Sequence, residues 1–222
     1  MSDIEPKQRL RITFAKERSL RYIGHLDLAR TWERVFRRAG LPTAYSQGFN
    51  PRPRFQIAAA LPVGVIGQSE LLDLWVLEVL APEQTLSRLR GVVPEGLRVR
   101  DVQEVDLRAP SLQSQMRAAS YRAVLHSQEP VEAMRARVQA LLDAPTLLRK
   151  RHHKGKEQVY DLGPLIQRLE VERGGAGERV MTMRLQASPE GAGRPDEVLD
   201  ALGLSMASHS IERTNLHFEF DK

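Results

Sequence analysis

The chain has 222 residues, 41% of them apolar and 27% charged, with 33 Lys/Arg against 28 Asp/Glu, a net charge of +5 and no cysteine. That length suffices for two domains of about 100 residues, each able to bury a core. The missing thiols exclude disulfides, a cysteine nucleophile, thiolate zinc sites and any iron–sulfur cluster held by this chain alone. No apolar run approaches the roughly 18–20 residues that cross a bilayer, and the polar start MSDIEPKQR has no signal core, so a cytoplasmic protein without a membrane is expected.

In chain order, residues 9–15 (LRITFAK) alternate Leu10, Ile12 and Phe14 with polar neighbours, which predicts a half-buried strand. From Leu26 to Ala39, Leu28, Trp32, Val35, Phe36 and Ala39 recur at helical spacing, and Gly40 with Pro42 is the stop. The other face of this helix carries Arg30, Arg34, Arg37 and Arg38 as one basic stripe. Strands are predicted over 54–61 and 70–79 with a turn between them, a short helix from Pro82 to Leu89, and a strand from Leu97 to Val105. The order strand, helix, strand, strand, helix, strand is that of a ferredoxin-like domain, with two helices on one face of an antiparallel sheet.

Beyond a polar stretch at 106–118, the pattern recurs. A strand over Ser120–Leu125 and a helix over Pro130–Leu142 are followed by strands near 145–151, 165–172 and 179–186. A helix from Pro195 to Leu202 and a strand near His209–Phe218 close the chain. The expected architecture is therefore α+β: two tandem ferredoxin-like (split βαβ) domains, residues 1–108 and 119–222.

Positive charge is concentrated in the first 54 residues, which hold 12 Lys/Arg against 5 Asp/Glu, a net of +7. Concentrated charge makes a local field that scattered charge would not. Three constellations deserve chemical reading. Gly24-His25-Leu26-Asp27 opens the main helix, where free N–H groups favour an anion and His25 adds a proton-transfer group; equally, Asp27 complements the helix dipole and His25 packs at the entry. Tyr45-Ser46-Gln47-Gly48-Phe49-Asn50-Pro51-Arg52-Pro53-Arg54 combines positions that tolerate positive φ with two stiffening prolines. Tyr45 and Phe49 would stack on bases and Arg52 and Arg54 would reach phosphates, with Gln47 and Asn50 as further candidate nucleic-acid contacts. The structural alternative is a crossover loop whose aromatics plug the core.

The third constellation is Arg149-Lys150-Arg151-His152-His153-Lys154-Gly155-Lys156, five fixed positive charges with no acid among them. Self-repulsion at that density favours a polyanion partner, and a solvated hairpin is the alternative. Neighbouring strand residues point to opposite faces, so His152 and His153 predict no metal site. His209 and His217 read as ordinary sheet residues. Gly174-Gly175-Ala176-Gly177 reads as a hairpin turn, and no Walker loop, nucleophile elbow, HExxH or dinucleotide fingerprint is present.

RYIGHLDLARTWERVFRRAGLPTAYSQGFNPRPR at 21–54, followed by AAALPVGV and Glu70-Leu71-Leu72-Asp73, resembles the bacterial radical-SAM-linked domain family, whose function is unknown. The signature covers about residues 10–80. Val159-Tyr160-Asp161-Leu162-Gly163-Pro164-Leu165-Ile166 and Glu212-Arg213-Thr214 are similar to later family features. Where family members often carry a run of lysines after the loop's proline, this chain has Arg52-Pro53-Arg54. The resemblance implies a helper in RNA chemistry beside a radical-SAM enzyme, and without cysteine any radical step would belong to that partner.

The leading expectation is thus an RNA-binding accessory protein, with no cofactor of its own, that presents RNA to a radical-SAM enzyme, and whether the chain is itself an enzyme stays open. Its basic stripe, loop and hairpin are expected to share one face. One alternative is a metal-independent endoribonuclease like the CRISPR RNA-processing enzymes, with His25 and Tyr45 as acid and base and Lys150 or Arg52 on the phosphorane. The other is a protein-only adaptor, which would expose Trp32 or Phe49.

Overall fold

The computed structural model describes residues 5–47, 49–153, 156–204 and 209–221. It is an α+β protein with antiparallel sheets, and it forms two compact units, Met1–Gln115 and Met116–Lys222. No helix among the described residues is long and apolar enough to cross a membrane.

In the first unit β1 (Gln8–Lys16) buries Leu10, Ile12 and Phe14 on one side. The alternation predicts a half-buried strand, yet Arg9 and Arg11 on the other side are buried as well. Their burial is possible because each guanidinium is hydrogen-bonded to Asp73, as described below. After a 3-10 turn at Arg18–Leu20 comes α1 (His25–Arg38), which buries Leu28, Trp32, Val35 and Phe36. It ends as the glycine predicts. Gly40 takes φ 62°, and the N–H groups of Gly40 and Leu41 donate to the carbonyls of Arg37 and Phe36, closing a Schellman cap.

β2 (Phe55–Ile57) is shorter than the strand predicted over 54–61. One further bond, Ala58 N–H to the Leu71 carbonyl, follows it, and then the chain bends toward Pro62, which has no N–H to offer a ladder. β3 (Val65–Val76) starts earlier than the predicted Glu70, because the β-branched Val65 and Ile66 extend it into the expected turn. α2 (Pro82–Arg90) and β4 (Leu97–Val105) complete a sheet ordered β4-β1-β3-β2, every pair antiparallel. A chain of rings ties α1 to the sheet: Phe14 on Trp32 at 5.0 Å, Trp32 on Phe36 at 5.5 Å and Phe36 on Phe55 at 5.4 Å. The one-turn α3 (Leu112–Gln115), read as polar linker in the sequence, anchors the end of the unit through the fully buried Leu112.

The second unit opens with β5 (Met116–His126), whose residues Ala119, Tyr121, Ala123 and Leu125 are buried in strict alternation. α4 (Val131–Leu142) buries Val131, Met134, Val138 and Leu141. The strand expected near 145–151 is β6 (Leu148–His153), and it forms the basic hairpin with β7 (Lys156–Asp161), a strand the sequence reading did not include. β7 escaped notice because KEQVYD has only two residues of strong strand preference, Val159 and Tyr160. Then come β8 (Ile166–Arg173), β9 (Glu178–Ser188), the two-residue β10 (Gly191–Ala192), α5 (Pro195–Ala201) and β11 (His209–Phe218). The main sheet runs β8-β9-β5-β11, again antiparallel throughout, with β10 on the end of β9.

Candidate nucleic-acid interface

The loop between α1 and β2 is a hairpin with a clamped base. Ser46 N–H donates to the Arg52 carbonyl at 2.8 Å, Arg52 N–H to Ser46 Oγ at 3.1 Å and Arg54 N–H to the Ala44 carbonyl at 2.7 Å, around a Tyr45–Pro53 bridge. The stems also join the end of β3, since Ala44 N–H donates to the Trp75 carbonyl and Trp75 N–H to that of Arg54. Above this base Gln47, Asn50, Pro51 and Arg52 are exposed, and the Phe49 ring stands wholly in solvent. Gly48 lies outside the described residues. Tyr45 is exposed too and lines a cleft of about 440 Å³ with Ala44, Gln47, Arg54 and Glu5. Neither aromatic plugs the core, so the structural alternative for this loop does not hold.

Beneath the loop lies a buried charge array that the sequence reading missed. Asp73 on β3 accepts from Arg9 Nε at 3.0 Å, Arg9 Nη2 at 2.5 Å and Arg11 Nε at 2.9 Å. Arg9 also donates to the carbonyls of Ala109 and Pro110. The guanidiniums of Arg9 and Arg54 each lie over the Trp75 ring, at 4.8 and 4.9 Å from its centroid. Arg54 is therefore partly committed to holding the loop, which leaves Arg52 as its more outward cation. A charged residue inside the apolar run ELLDLWV, with Arg-x-Arg in β1, is the signal that would have found this array.

On α1 all four stripe arginines are exposed. Arg30 pairs with Asp27 at 3.3 Å and Arg34 reaches Thr31 Oγ1 at 3.4 Å, whereas the side chains of Arg37 and Arg38 have no hydrogen bond or ion pair among the described residues. These last two also sit in the final turn, where cations complement the helix dipole. His25 is the exposed first residue of the helix, after Gly24 as N-cap. No hydrogen bond or ring contact joins His25 to Tyr45 among the described residues.

The β6–β7 hairpin is less naked than its sequence. Arg149 pairs with Asp200 of α5 at 3.4 Å, Lys150 with Glu157 across the hairpin at 2.9 Å, and Arg151 lies over the Tyr160 ring. Glu197 of α5 also feels Arg151 and Arg149, yet burial raises its carboxyl above the ordinary value and those two cations only partly oppose the shift. Three of the five hairpin cations thus have protein partners, and the self-repulsion argument is correspondingly weaker. Lys154 lies outside the described residues, as do the side chains of His152, His153 and Lys156. Among the described residues no group of three or more His, Asp or Glu is placed to hold a metal.

The family model for an uncharacterized protein conserved in bacteria, DUF2344, matches residues 9–195. The chain belongs to that family. A comparison with curated proteins finds no match. Among solved structures, a chain from the crystal structure of a Cbf5-Nop10-Gar1 complex is similar, at 11% identity and a TM-score of 0.51, over 93% of this chain and 48% of that one. A chain from an H/ACA RNP bound to a substrate RNA containing 2'-deoxyuridine gives 11% identity and a TM-score of 0.48, over 93% and 47%. The DUF2344 chain spans about half the length of these solved chains, and at 11% identity the likeness to the first concerns fold alone. The DUF2344 match takes in the α1 stripe, the clamped loop and the β6–β7 hairpin together.

Proposed function

We propose that this DUF2344 protein binds RNA and presents it to a radical-SAM enzyme. The observation that carries the reading is the clamped hairpin, which holds the exposed Phe49 and Arg52 on a base hydrogen-bonded to β3. An exposed ring on a fixed stem stacks on an unpaired base with little ordering cost, and adjacent guanidiniums take phosphates. Arg37 and Arg38 extend the basic surface within the first unit. The partner follows from the resemblance at residues 21–54, and the lack of cysteine leaves radical chemistry to it. The fold we assign to each unit is ferredoxin-like, on the support of the antiparallel order β4-β1-β3-β2 in the first and β11-β5-β9-β8 in the second, which is the same permutation.

The test is a titration with single-stranded and structured RNA at two salt concentrations. Binding that weakens as salt rises, and that Phe49→Ala reduces, is the expected result. Affinity indifferent to salt would overturn it, because phosphate contacts release counterions. The exposure of Phe49 gives a second reading some support, that of a protein-only adaptor in which the ring enters a partner's apolar pocket. In that case Phe49→Ala abolishes capture of the radical-SAM partner while no RNA binds.

A further inference from the structure

The outer face of the second unit's sheet, opposite its core, carries a constellation that neither the loop nor the hairpin uses. In register, Arg168 of β8 lies directly opposite Arg184 of β9, which in turn lies opposite Ser120 of β5, and Arg122 stands two residues along. They line a cleft of about 510 Å³ with His217 and Thr214 of β11. Ser120 Oγ and His217 Nε2 are hydrogen-bonded at 2.7 Å, and Arg168 is held by Glu170 at 2.9 Å. The side chains of Arg122 and Arg184 have no hydrogen bond or ion pair among the described residues.

Like charges directly across a ladder destabilise a sheet, and Glu170 answers Arg168 alone, which leaves Arg184 facing it, and Arg122 beside them, with no acid of their own among the described residues. We propose that this cleft binds a terminal phosphate monoester. A dianion between Arg168, Arg184 and Arg122 removes the repulsion and accepts charge-assisted hydrogen bonds, with the Ser120 hydroxyl as a neutral contact. Glu170 and Glu172 line the β8 side of the cleft and repel a strand running through, which favours a phosphate end over an internal phosphodiester. No exposed aromatic side chain lines the cleft, so the recognised chemistry is the phosphoryl group rather than a base.

The test is calorimetric titration of the full chain with inorganic phosphate against chloride at equal ionic strength, with melting curves alongside. Saturable binding is expected, weakened about tenfold or more in Arg184→Gln and Arg122→Gln. Ligand-free Arg184→Gln should melt no lower than wild type, since the substitution removes a repulsion. Absence of saturable phosphate binding, or wild-type affinity in both variants, overturns the proposal. Competition by 5'-phosphorylated but not 5'-hydroxyl oligonucleotide assigns the phosphate to a nucleic-acid end; failure of both to compete while phosphate binds assigns it to a small molecule. The phosphate readout needs no RNA, so it stands or falls separately from the RNA-binding reading.

Discussion

At the scale of single residues, burial and pairing decide what a charge is for. Asp73 is fully buried between Arg9 and Arg11, so replacing it by Asn removes the carboxylate that both buried guanidiniums bind. Asp73→Asn should lower unfolding free energy by about 3–5 kcal/mol in a denaturant titration, far more than loss of an exposed pair such as Arg30–Asp27. Glu197 offers a pH-dependent case: its Oε2 is buried without a hydrogen-bond partner among the described residues and its pKa is raised above 4.5. A raised carboxyl pKa means that the neutral form favours folding, so its contribution is present below 4.5 and lost as pH climbs through the folded value. Glu197→Gln should flatten the pH dependence of the melting temperature across that window and leave neutral-pH stability equal or higher. A steeper dependence would contradict the assignment. Neither residue was legible beforehand, because sequence shows that a carboxylate exists and not which guanidinium it meets.

At the scale of elements, the helices were read well because periodicity and stop signals act locally. The span of α1 followed from Leu28, Trp32, Val35 and Phe36 with Gly40 behind them, and the alternation of 97–105 marked β4 to the residue. β2, the start of β3 and the second strand of the basic hairpin were misjudged, since strand ends depend on a neighbour to pair with. One turn position makes a direct test. Gly96 precedes β4 at φ 87°, its carbonyl accepts from Glu17 N–H, and an added Cβ would meet Ser19 Oγ at 2.3 Å and Leu20 Cγ at 2.7 Å. Gly96→Ala should cost about 1–3 kcal/mol of stability by chemical denaturation, whereas Gly91→Ala, where a Cβ meets nothing closer than 3.6 Å, should cost much less.

At the scale of the whole molecule, the prediction concerns how charge is spent. Within the first unit Arg37 and Arg38 have no protein partner among the described residues, and in the second Arg149, Lys150 and Arg151 do. If RNA contacts the unpartnered cations, Arg37→Ala with Arg38→Ala should reduce the log–log salt slope of RNA binding by about 1.4, and Arg149→Ala should change it little. Composition, the apolar periods and the missing cysteines determined by themselves an α+β chain rich in antiparallel strands, a basic first quarter and the exclusion of thiol chemistry. These are properties of local pattern and atom inventory, which need no partner across the fold. Only the tertiary structure decided that Phe49 is exposed, that the hairpin's arginines face α5's acids, and that Arg168, Arg184, Ser120 and His217 share one cleft. Those facts depend on which strands pair and in what register, and register is set by long-range packing that no window of sequence contains.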